Sequence, residues 1–225
     1  KIHPAMIVVP GGGYRQVSRT EAHLVAMDFY EADYNVFVLV YTVNPLDEVP
    51  LEMQPLQDIS RAIRMIRGKA EEYRITPEQI AVCGFSAGGH LAATGLVTLK
   101  GELKPDFGIL VYPVISMKKN ITHQFSRFNL MGKSPSEDTV IKFSTEEQVA
   151  EDTPATILFH CSDDPAVKPE NSIVFYQALL RNAVPAEMHV YPKGRHGWGF
   201  IEGAPFPYFN EFKTTVLRWI AEQNN

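Results

Sequence analysis

The sequence predicts an α/β domain, in which a mostly parallel sheet carries helices on both faces. Two observations support this prediction. Short apolar runs alternate with longer helical stretches, and most of the runs are apolar at every position, as in strands buried on both faces. The 225 residues also suffice for a sizeable core, and a composition of 45% hydrophobic and 21% charged residues argues against global disorder.

The predicted elements follow one another in a regular order. The strands are expected at residues 5–9, 35–40, 80–84, 107–111, 155–159 and 187–191. The helices are expected at residues 20–32, 53–73, 87–99, 169–182 and 209–223. In the second helix Leu56, Ile59 and Ile63 recur at three- and four-residue spacing, which places them on one face. This alternation predicts right-handed crossovers between parallel strands.

Residues 114–152 interrupt the alternation with a polar stretch that lacks a strong strand pattern. Connections of roughly forty residues without their own secondary structure are uncommon, apart from functional lids and disordered segments. The scattered aromatics and the helix-like SPSEDTVIKFS favour an ordered cap. We therefore expect residues 1–225 to form one domain with a cap at 114–152.

Charge and cysteine content argue against several functions. A formal net charge of −5 gives no attraction for nucleic acid or an anionic membrane, and no apolar run approaches the roughly 18–20 residues of a membrane span. Cys83 and Cys161 each end an apolar run and are expected to be buried thiols. No paired-carboxylate, H-x-H or H-E-x-x-H spacing occurs, so neither metal nor cofactor is expected.

The motif GFSAGGHLAA, at residues 84–93, contains a serine with glycine two positions away on each side. A strand-like run precedes Ser86 and a helix-forming run follows it, which is the order of a nucleophile elbow. Small neighbours suit the tight turn, and the first helical N–H groups then point toward the serine. The alternative is a structural turn in which the serine caps the helix.

A nucleophilic serine needs a base and an acid that orients the base. His196 lies in the glycine-rich loop after the last predicted strand, where an imidazole can reach the carboxyl ends of the strands. The alternative for such a histidine is a solvated surface position. The preceding strand is followed by Asp163 and Asp164, of which we favour Asp164 as the acid, with Asp163 capping the turn. Serine, acid and histidine then follow the chain order typical of triads on such sheets.

Acyl transfer also requires N–H donors for an oxyanion. The backbone N–H of Ala87, directly after the serine, is one expected donor. The loop PGGGY supplies the other, from Gly12 or Gly13, because glycines allow the backbone to approach a substrate. A phosphate-binding loop is the alternative, but both the dinucleotide fingerprint and the Walker lysine pattern are missing.

Several aromatic side chains adjoin these loops. Tyr14 and Trp198 flank the two glycine-rich loops and are predicted to line the substrate pocket. His90 lies one turn into the helix after the serine and is expected to be a buried, hydrogen-bonded packing residue. His160 is expected to pack in the core, with the ordering of the acid loop as the alternative.

These motifs, together with NVFVLVYTV and the insertion segment SRFNLMGKSPSEDTVIKFSTEEQV, resemble those of α/β-hydrolase esterases over nearly the whole chain. More narrowly, they resemble those of the acetylxylan esterase-like branch, near the dienelactone hydrolases and the prolyl oligopeptidase-type hydrolases. The resemblance implies Ser86 as nucleophile, Asp164 as acid and His196 as base, and substrates that are acetylated sugars or short acyl esters. Two features differ: Pro10 stands where many lipase-like relatives have histidine, and the additional strands that usually precede the strand before PGGGY are not in the sequence given.

We therefore predict a serine carboxylesterase that needs no cofactor and whose partner is a small-molecule ester, in particular an acetylated sugar. Two alternatives stay open: a small-peptide hydrolase of the prolyl oligopeptidase type, and a catalytically silent α/β-hydrolase that binds a ligand. The sequence also leaves a homodimer open. A cytoplasmic location is favoured for the residues given, and a secreted or periplasmic one applies if residues precede Lys1.

Overall fold

Six parallel strands form one sheet in the computed structural model, which describes residues 1–46, 49–201, 203 and 205–223. The strands are β1 (His3–Val9), β2 (Asn35–Val38), β3 (Ile75–Phe85), β4 (Phe107–Val111), β5 (Thr156–Cys161) and β6 (Ala186–Tyr191). Their order across the sheet is β2-β1-β3-β4-β5-β6, and every neighbouring pair is parallel. The predicted strands are confirmed, with ends that differ by up to five residues.

Helices lie between the strands and after the last one. They are α1 (His23–Glu31), α2 (Gln54–Gly68), α3 (Ala70–Tyr73), α4 (Ser86–Thr98), α5 (Gln124–Met131), α6 (Glu137–Phe143), α7 (Glu170–Arg181) and α8 (Phe209–Gln223). The helix expected at 53–73 divides at Lys69, whose φ of −113° and ψ of 27° lie outside the helical region. Gly68 directly precedes the break, and glycine is a poor helix former. No helix in the described ranges is long and apolar enough to cross a membrane.

Each face of the sheet packs against its own hydrophobic cluster. Alternate strand residues point to opposite faces, so Ile7 and Val82 pack with α2, α4 and α7, whereas Met6 and Cys83 pack with α1 and α8. Both cysteines are buried free thiols, as expected. Burial on both faces explains why the strands are apolar at successive positions.

The insertion at 114–152 is ordered and contains α5, α6 and a short 3₁₀ turn at Thr145–Glu147. Helix α6 lies within the helix-like stretch SPSEDTVIKFS. It begins at Glu137, where the Ser136 hydroxyl accepts a hydrogen bond from the Thr139 N–H and acidic residues occupy the first turn. The start of the insertion is anchored to α7, since the Asn171 side-chain oxygen accepts hydrogen bonds from the N–H groups of Ile115 and Ser116.

His90 links α4 to the PGGGY loop and to the insertion. Its side chain is buried, and its Nε2 donates to the Phe143 carbonyl at 2.7 Å. The neutral imidazole therefore has an unprotonated Nδ1, which accepts a hydrogen bond of 2.7 Å from the Tyr14 hydroxyl. Burial lowers the pKa of His90 to about 4, although the Phe143 carbonyl acts in the opposite direction. The side chain is the buried, hydrogen-bonded residue that the sequence predicted.

This lowered pKa predicts a loss of stability in acid. Between pH 6.5 and 4 the unfolded chain protonates His90 and the folded chain does not, so the free energy of unfolding falls as the pH falls. The loss from this residue is on the order of 3 kcal/mol, and it is complete below the folded-state pKa. Urea denaturation between pH 7 and pH 4 measures it.

His90→Gln is the matched control, because its amide N–H still donates to Phe143 but does not titrate. All other titrating groups are the same in both proteins. Between pH 6.5 and 4 the variant should therefore take up about one proton fewer on unfolding than the wild type, and its free energy of unfolding should fall less steeply with falling pH. An identical pH dependence in the two proteins would contradict the assignment.

Candidate active site

Ser86 lies in the sharp turn between β3 and α4, where the sequence predicts an elbow. Its φ of 52° is in the left-handed region, which is strained for a residue with a side chain. The turn brings α4 against the end of β1: a Cβ at Gly88 would lie 2.1 Å from the Val9 carbonyl oxygen. Only glycine fits at that position, and this close approach keeps the serine at the carboxyl edge of the sheet.

A chain of two hydrogen bonds joins Ser86, His196 and Asp164. The Nδ1 of His196 donates to Asp164 Oδ2 at 2.6 Å, and its Nε2 lies 2.9 Å from the Ser86 hydroxyl oxygen. With Nδ1 protonated, Nε2 of the neutral ring accepts the serine proton. Asp164 follows β5 and His196 follows β6, so parallel strands bring the three side chains to one edge of the sheet. The structure thus brings together the three residues predicted as nucleophile, acid and base.

Asp164 is held as a buried carboxylate. Its Oδ1 accepts hydrogen bonds from the N–H groups of Ala166 at 2.8 Å and Val167 at 2.9 Å. Burial would raise its pKa, but hydrogen bonds from His160 and His196 and the charge of His196 outweigh burial and hold the pKa well below its usual range. The acid is therefore ionised at neutral pH and keeps the proton of His196 on Nδ1.

Two neighbours of Asp164 fix the loop that carries it. His160 is fully buried, and its Nε2 lies 2.9 Å from the Val167 carbonyl and 3.3 Å from Asp164 Oδ2. It thus orders the acid loop, the alternative that its sequence position left open. Asp163 accepts a hydrogen bond of 2.8 Å from the Arg195 N–H and so ties the acid loop to the histidine loop.

The PGGGY loop brings Gly12 and Gly13 to the cavity that Ser86 also lines. Gly12 and Gly13 have φ of 124° and 65°, conformations that favour glycine, and both line the cavity at Ser86. The loop's own backbone bonds come from the N–H groups of Arg15, Gln16 and Ser18. Within the described ranges, no acceptor bonds the N–H of Gly12 or Gly13. The oxyanion roles of Gly12, Gly13 and Ala87 stay predictions.

Glu21 is a buried carboxylate that sequence reasoning missed. It accepts a hydrogen bond from the Gly11 N–H at 2.8 Å and another from the Tyr112 hydroxyl at 2.7 Å. The Tyr112 oxygen in turn accepts the Gly199 N–H at 2.9 Å. Glu21 therefore connects the glycine loop, the end of β4 and the loop after His196. No sequence motif predicts this role of Glu21, because Tyr112 is 91 residues away in the sequence.

The predicted pocket roles of Tyr14 and Trp198 are wrong, since neither residue lines the cavity at Ser86. Both side chains are 1% exposed. Tyr14 turns inward to His90, and Trp198 stacks on Phe206 with ring centroids 3.9 Å apart. Burying a large aromatic side chain is strongly favourable, so both rings enter the core.

The cavity at Ser86 has a volume of about 290 Å³. Glycines and polar side chains make up most of its wall, which is formed by Gly12, Gly13, Gln16, Ser18, Glu21, Ser86, His123, Phe125, Ala166 and His196. His123 and Phe125 come from the insertion and were not assigned from the sequence. Among the residues described, no cluster of three histidine, cysteine or acidic side chains could hold a metal ion.

A larger cavity of about 670 Å³ lies at the opposite end of β4 from Tyr112. Charged residues line it, and Arg67 there is bonded to Asp106 at 2.8 Å and to backbone carbonyls. Among the described residues that line it, there is no serine, cysteine or histidine that could act as a nucleophile or base. We therefore place the candidate active site at the smaller cavity.

The parallel sheet and the serine at its elbow define an α/β hydrolase. The BD-FAE family model matches residues 1–179, and the chain belongs to this family. An acetyl ester-xyloside bifunctional hydrolase from Caldicellulosiruptor lactoaceticus is 35% identical, with a TM-score of 0.89 over 99% of this chain and 84% of that one. A sugar hydrolase from Lactococcus lactis is 29% identical, with a TM-score of 0.87 over 99% and 90%. These matches confirm the resemblance stated from the motifs.

Two curated relatives are longer proteins. Endo-1,4-beta-xylanase B of Butyrivibrio fibrisolvens is 38% identical over 85% of this chain, which covers 32% of that protein. An acetylxylan esterase of Xylanibacter ruminicola is 31% identical over 96% of this chain, which covers 45% of that protein. The chain thus spans between a third and a half of the length of these relatives.

The contacts of Glu21 predict a large effect of Glu21→Leu. Leucine leaves the Gly11 N–H and the Tyr112 hydroxyl buried without an acceptor, and each such group costs about 1–3 kcal/mol. We expect the free energy of unfolding in urea to fall by about 2–5 kcal/mol. A fluorophosphonate should also label Ser86 about tenfold more slowly or worse, because the glycine loop loses its fixed position.

Glu21→Gln is the matched control. Its amide oxygen can accept from the Gly11 N–H, and its NH₂ can donate to the Tyr112 oxygen, so only the Tyr112 O–H loses its acceptor. The glutamine variant should therefore lose less stability than the leucine variant. Equal losses in the two variants would show that the hydrogen bonds are not what Glu21 contributes.

Proposed function

We propose that the chain is a serine carboxylesterase that hydrolyses short-chain acyl esters, in particular acetyl esters of sugars. The observation that carries the proposal is the hydrogen-bond chain from Asp164 through His196 to the Ser86 hydroxyl. A serine within 2.9 Å of an imidazole that a buried carboxylate orients is the arrangement required for nucleophilic catalysis.

In the proposed reaction, His196 Nε2 takes the proton of Ser86 as its oxygen attacks the ester carbonyl carbon. The backbone N–H of Ala87 and that of Gly12 or Gly13 hold the oxyanion of the tetrahedral intermediate. The bond to the alcohol then breaks, and His196 gives its proton to the leaving oxygen. Water attacks the acyl-enzyme, His196 accepts its proton, and collapse releases the carboxylic acid and returns the proton to Ser86.

The form of the cavity supports a short acyl group. A long acyl chain requires a continuous apolar wall, whereas the wall here consists mostly of glycines and polar side chains. A volume of about 290 Å³ accommodates a small acyl group and the first ring of an alcohol. The names of the acetylxylan esterase and of the acetyl ester-xyloside hydrolase also support an acetyl group on a sugar.

Substitutions in the hydrogen-bond chain test the proposed mechanism. Ser86→Ala should lower kcat/KM for p-nitrophenyl acetate by about 10⁴-fold or more, and Asp164→Asn by about 10³- to 10⁴-fold, because the histidine loses its oriented tautomer. Asp163→Asn is the matched control, since the asparagine amide oxygen can still accept the Arg195 N–H that Asp163 accepts. This variant should lose less than about tenfold in kcat/KM. Undiminished turnover by Ser86→Ala would refute the mechanism.

A substrate panel tests the specificity. We expect kcat/KM to fall as p-nitrophenyl esters lengthen from acetate to octanoate, and acetylated xylo-oligosaccharide to release acetate. Faster cleavage of an aminoacyl p-nitroanilide than of the acetyl ester would indicate a peptide hydrolase instead. A wild-type protein that neither turns over any ester nor reacts with a fluorophosphonate would be a silent member of the fold.

A further inference from the structure

An exposed aromatic side chain stands in the wall of the candidate active site. Phe125, at the start of α5, lines the cavity with Ser86 and His196, and it is 39% exposed. Most large aromatic residues of the chain are buried in the two hydrophobic clusters. A phenylalanine exposed in the wall of this cavity is therefore a candidate ligand contact.

Two neighbours contact the ring of Phe125 and restrict its motion. The ring lies against the PGGGY loop, because a Cβ at Gly13 would come within 2.7 Å of Phe125 Cδ1. The guanidinium carbon of Arg15 is 5.7 Å from the ring centroid, within the range of a cation–π contact. A ring fixed in this way offers a rigid apolar surface at small entropic cost.

Polar groups border this ring. His123 lines the same cavity, and its Nδ1 is bonded to the Ser126 hydroxyl at 2.8 Å, which leaves Nε2 for a ligand. Burial, and then the nearby charge of His196, lowers the pKa of His123, while Asp164 acts in the opposite direction. The neutral ring can pair with a hydroxyl, which both donates and accepts. Gln16, also in the wall, adds an amide with both functions.

We propose that Phe125, His123 and Gln16 form the subsite for the alcohol part of the ester, and that this alcohol is a pyranose sugar. A pyranose presents a face of C–H groups, which stacks on an aromatic ring, and a rim of hydroxyls, which bonds His123 and Gln16. The inference rests on the proposed function, because the sugar is the alcohol released by attack of Ser86.

Phe125→Leu tests the subsite, since leucine keeps apolar bulk and removes the flat face. The measured quantity is the ratio of kcat/KM for acetylated xylotriose to kcat/KM for ethyl acetate, an ester whose alcohol has no ring. We expect the ratio to fall about three- to tenfold in Phe125→Leu, mainly through a higher KM for the sugar ester. Phe125→Tyr keeps the ring and should preserve the ratio within about twofold.

Binding of xylotriose without acetyl groups gives a second readout that needs no turnover. Titrated into Ser86→Ala and followed by NMR, xylotriose should bind about three- to tenfold more weakly when Phe125→Leu is added. Thermal unfolding of each variant checks that the fold is intact.

The outcomes separate this inference from the proposed function. Equal losses on both esters, with unchanged xylotriose binding, would mean that Phe125 only supports the glycine loop, and would overturn the subsite. If the wild type hydrolyses neither ester, the proposed esterase fails. The xylotriose titration then still decides whether the cavity binds a sugar at Phe125.

Discussion

The candidate site depends on one steric constraint, the close approach of α4 to the strand ends on either side of it. A Cβ at Gly88 would lie 2.1 Å from the Val9 carbonyl oxygen, and one at Gly89 would lie 2.7 Å from a carbon of Pro113. Without side chains at these two positions, α4 can start directly against the ends of β1 and β4. The chain therefore passes from β3 into α4 in one sharp turn, at Ser86. The hydroxyl is thereby fixed relative to the sheet, and the loops after β5 and β6 can reach it at hydrogen-bond distance.

Hydrogen bonds to two buried carboxylates, Asp164 and Glu21, fix the positions of the loops around Ser86. Loops are ordinarily the mobile regions of a domain, yet catalysis requires its groups within about 0.5 Å of their working positions. Asp164 accepts hydrogen bonds from its own loop and from two histidines, and Glu21 joins the glycine loop to Tyr112. Hydrogen bonds to ionised groups are stronger than neutral ones, so a few such contacts hold loops that lack a hydrophobic interior.

Local patterns were enough to predict the sheet and the three residues of the hydrogen-bond chain. A strand buried on both faces has a distinctive sequence, and serine, acid and histidine each follow such a strand at its carboxyl end. The wall of the cavity could not be predicted in this way. An aromatic residue near the site suits the core as well as a pocket, and only the final packing placed Trp198 inside and Phe125 outside. The burial of Glu21 likewise depends on Tyr112, which is 91 residues away in sequence.

The insertion connects substrate fit to catalytic geometry. Helix α5 begins beside His123 and Phe125, which line the cavity, and further along it Asn129 donates a hydrogen bond of 2.8 Å to the Gly13 carbonyl. The Gly13 carbonyl belongs to the planar peptide group between Gly13 and Tyr14, so its orientation fixes that part of the glycine loop. A shift of α5 that reshapes the cavity must therefore also move the loop that carries the proposed oxyanion donors. The proposed sugar subsite and the proposed oxyanion donors are thus coupled, because one short helix contacts both.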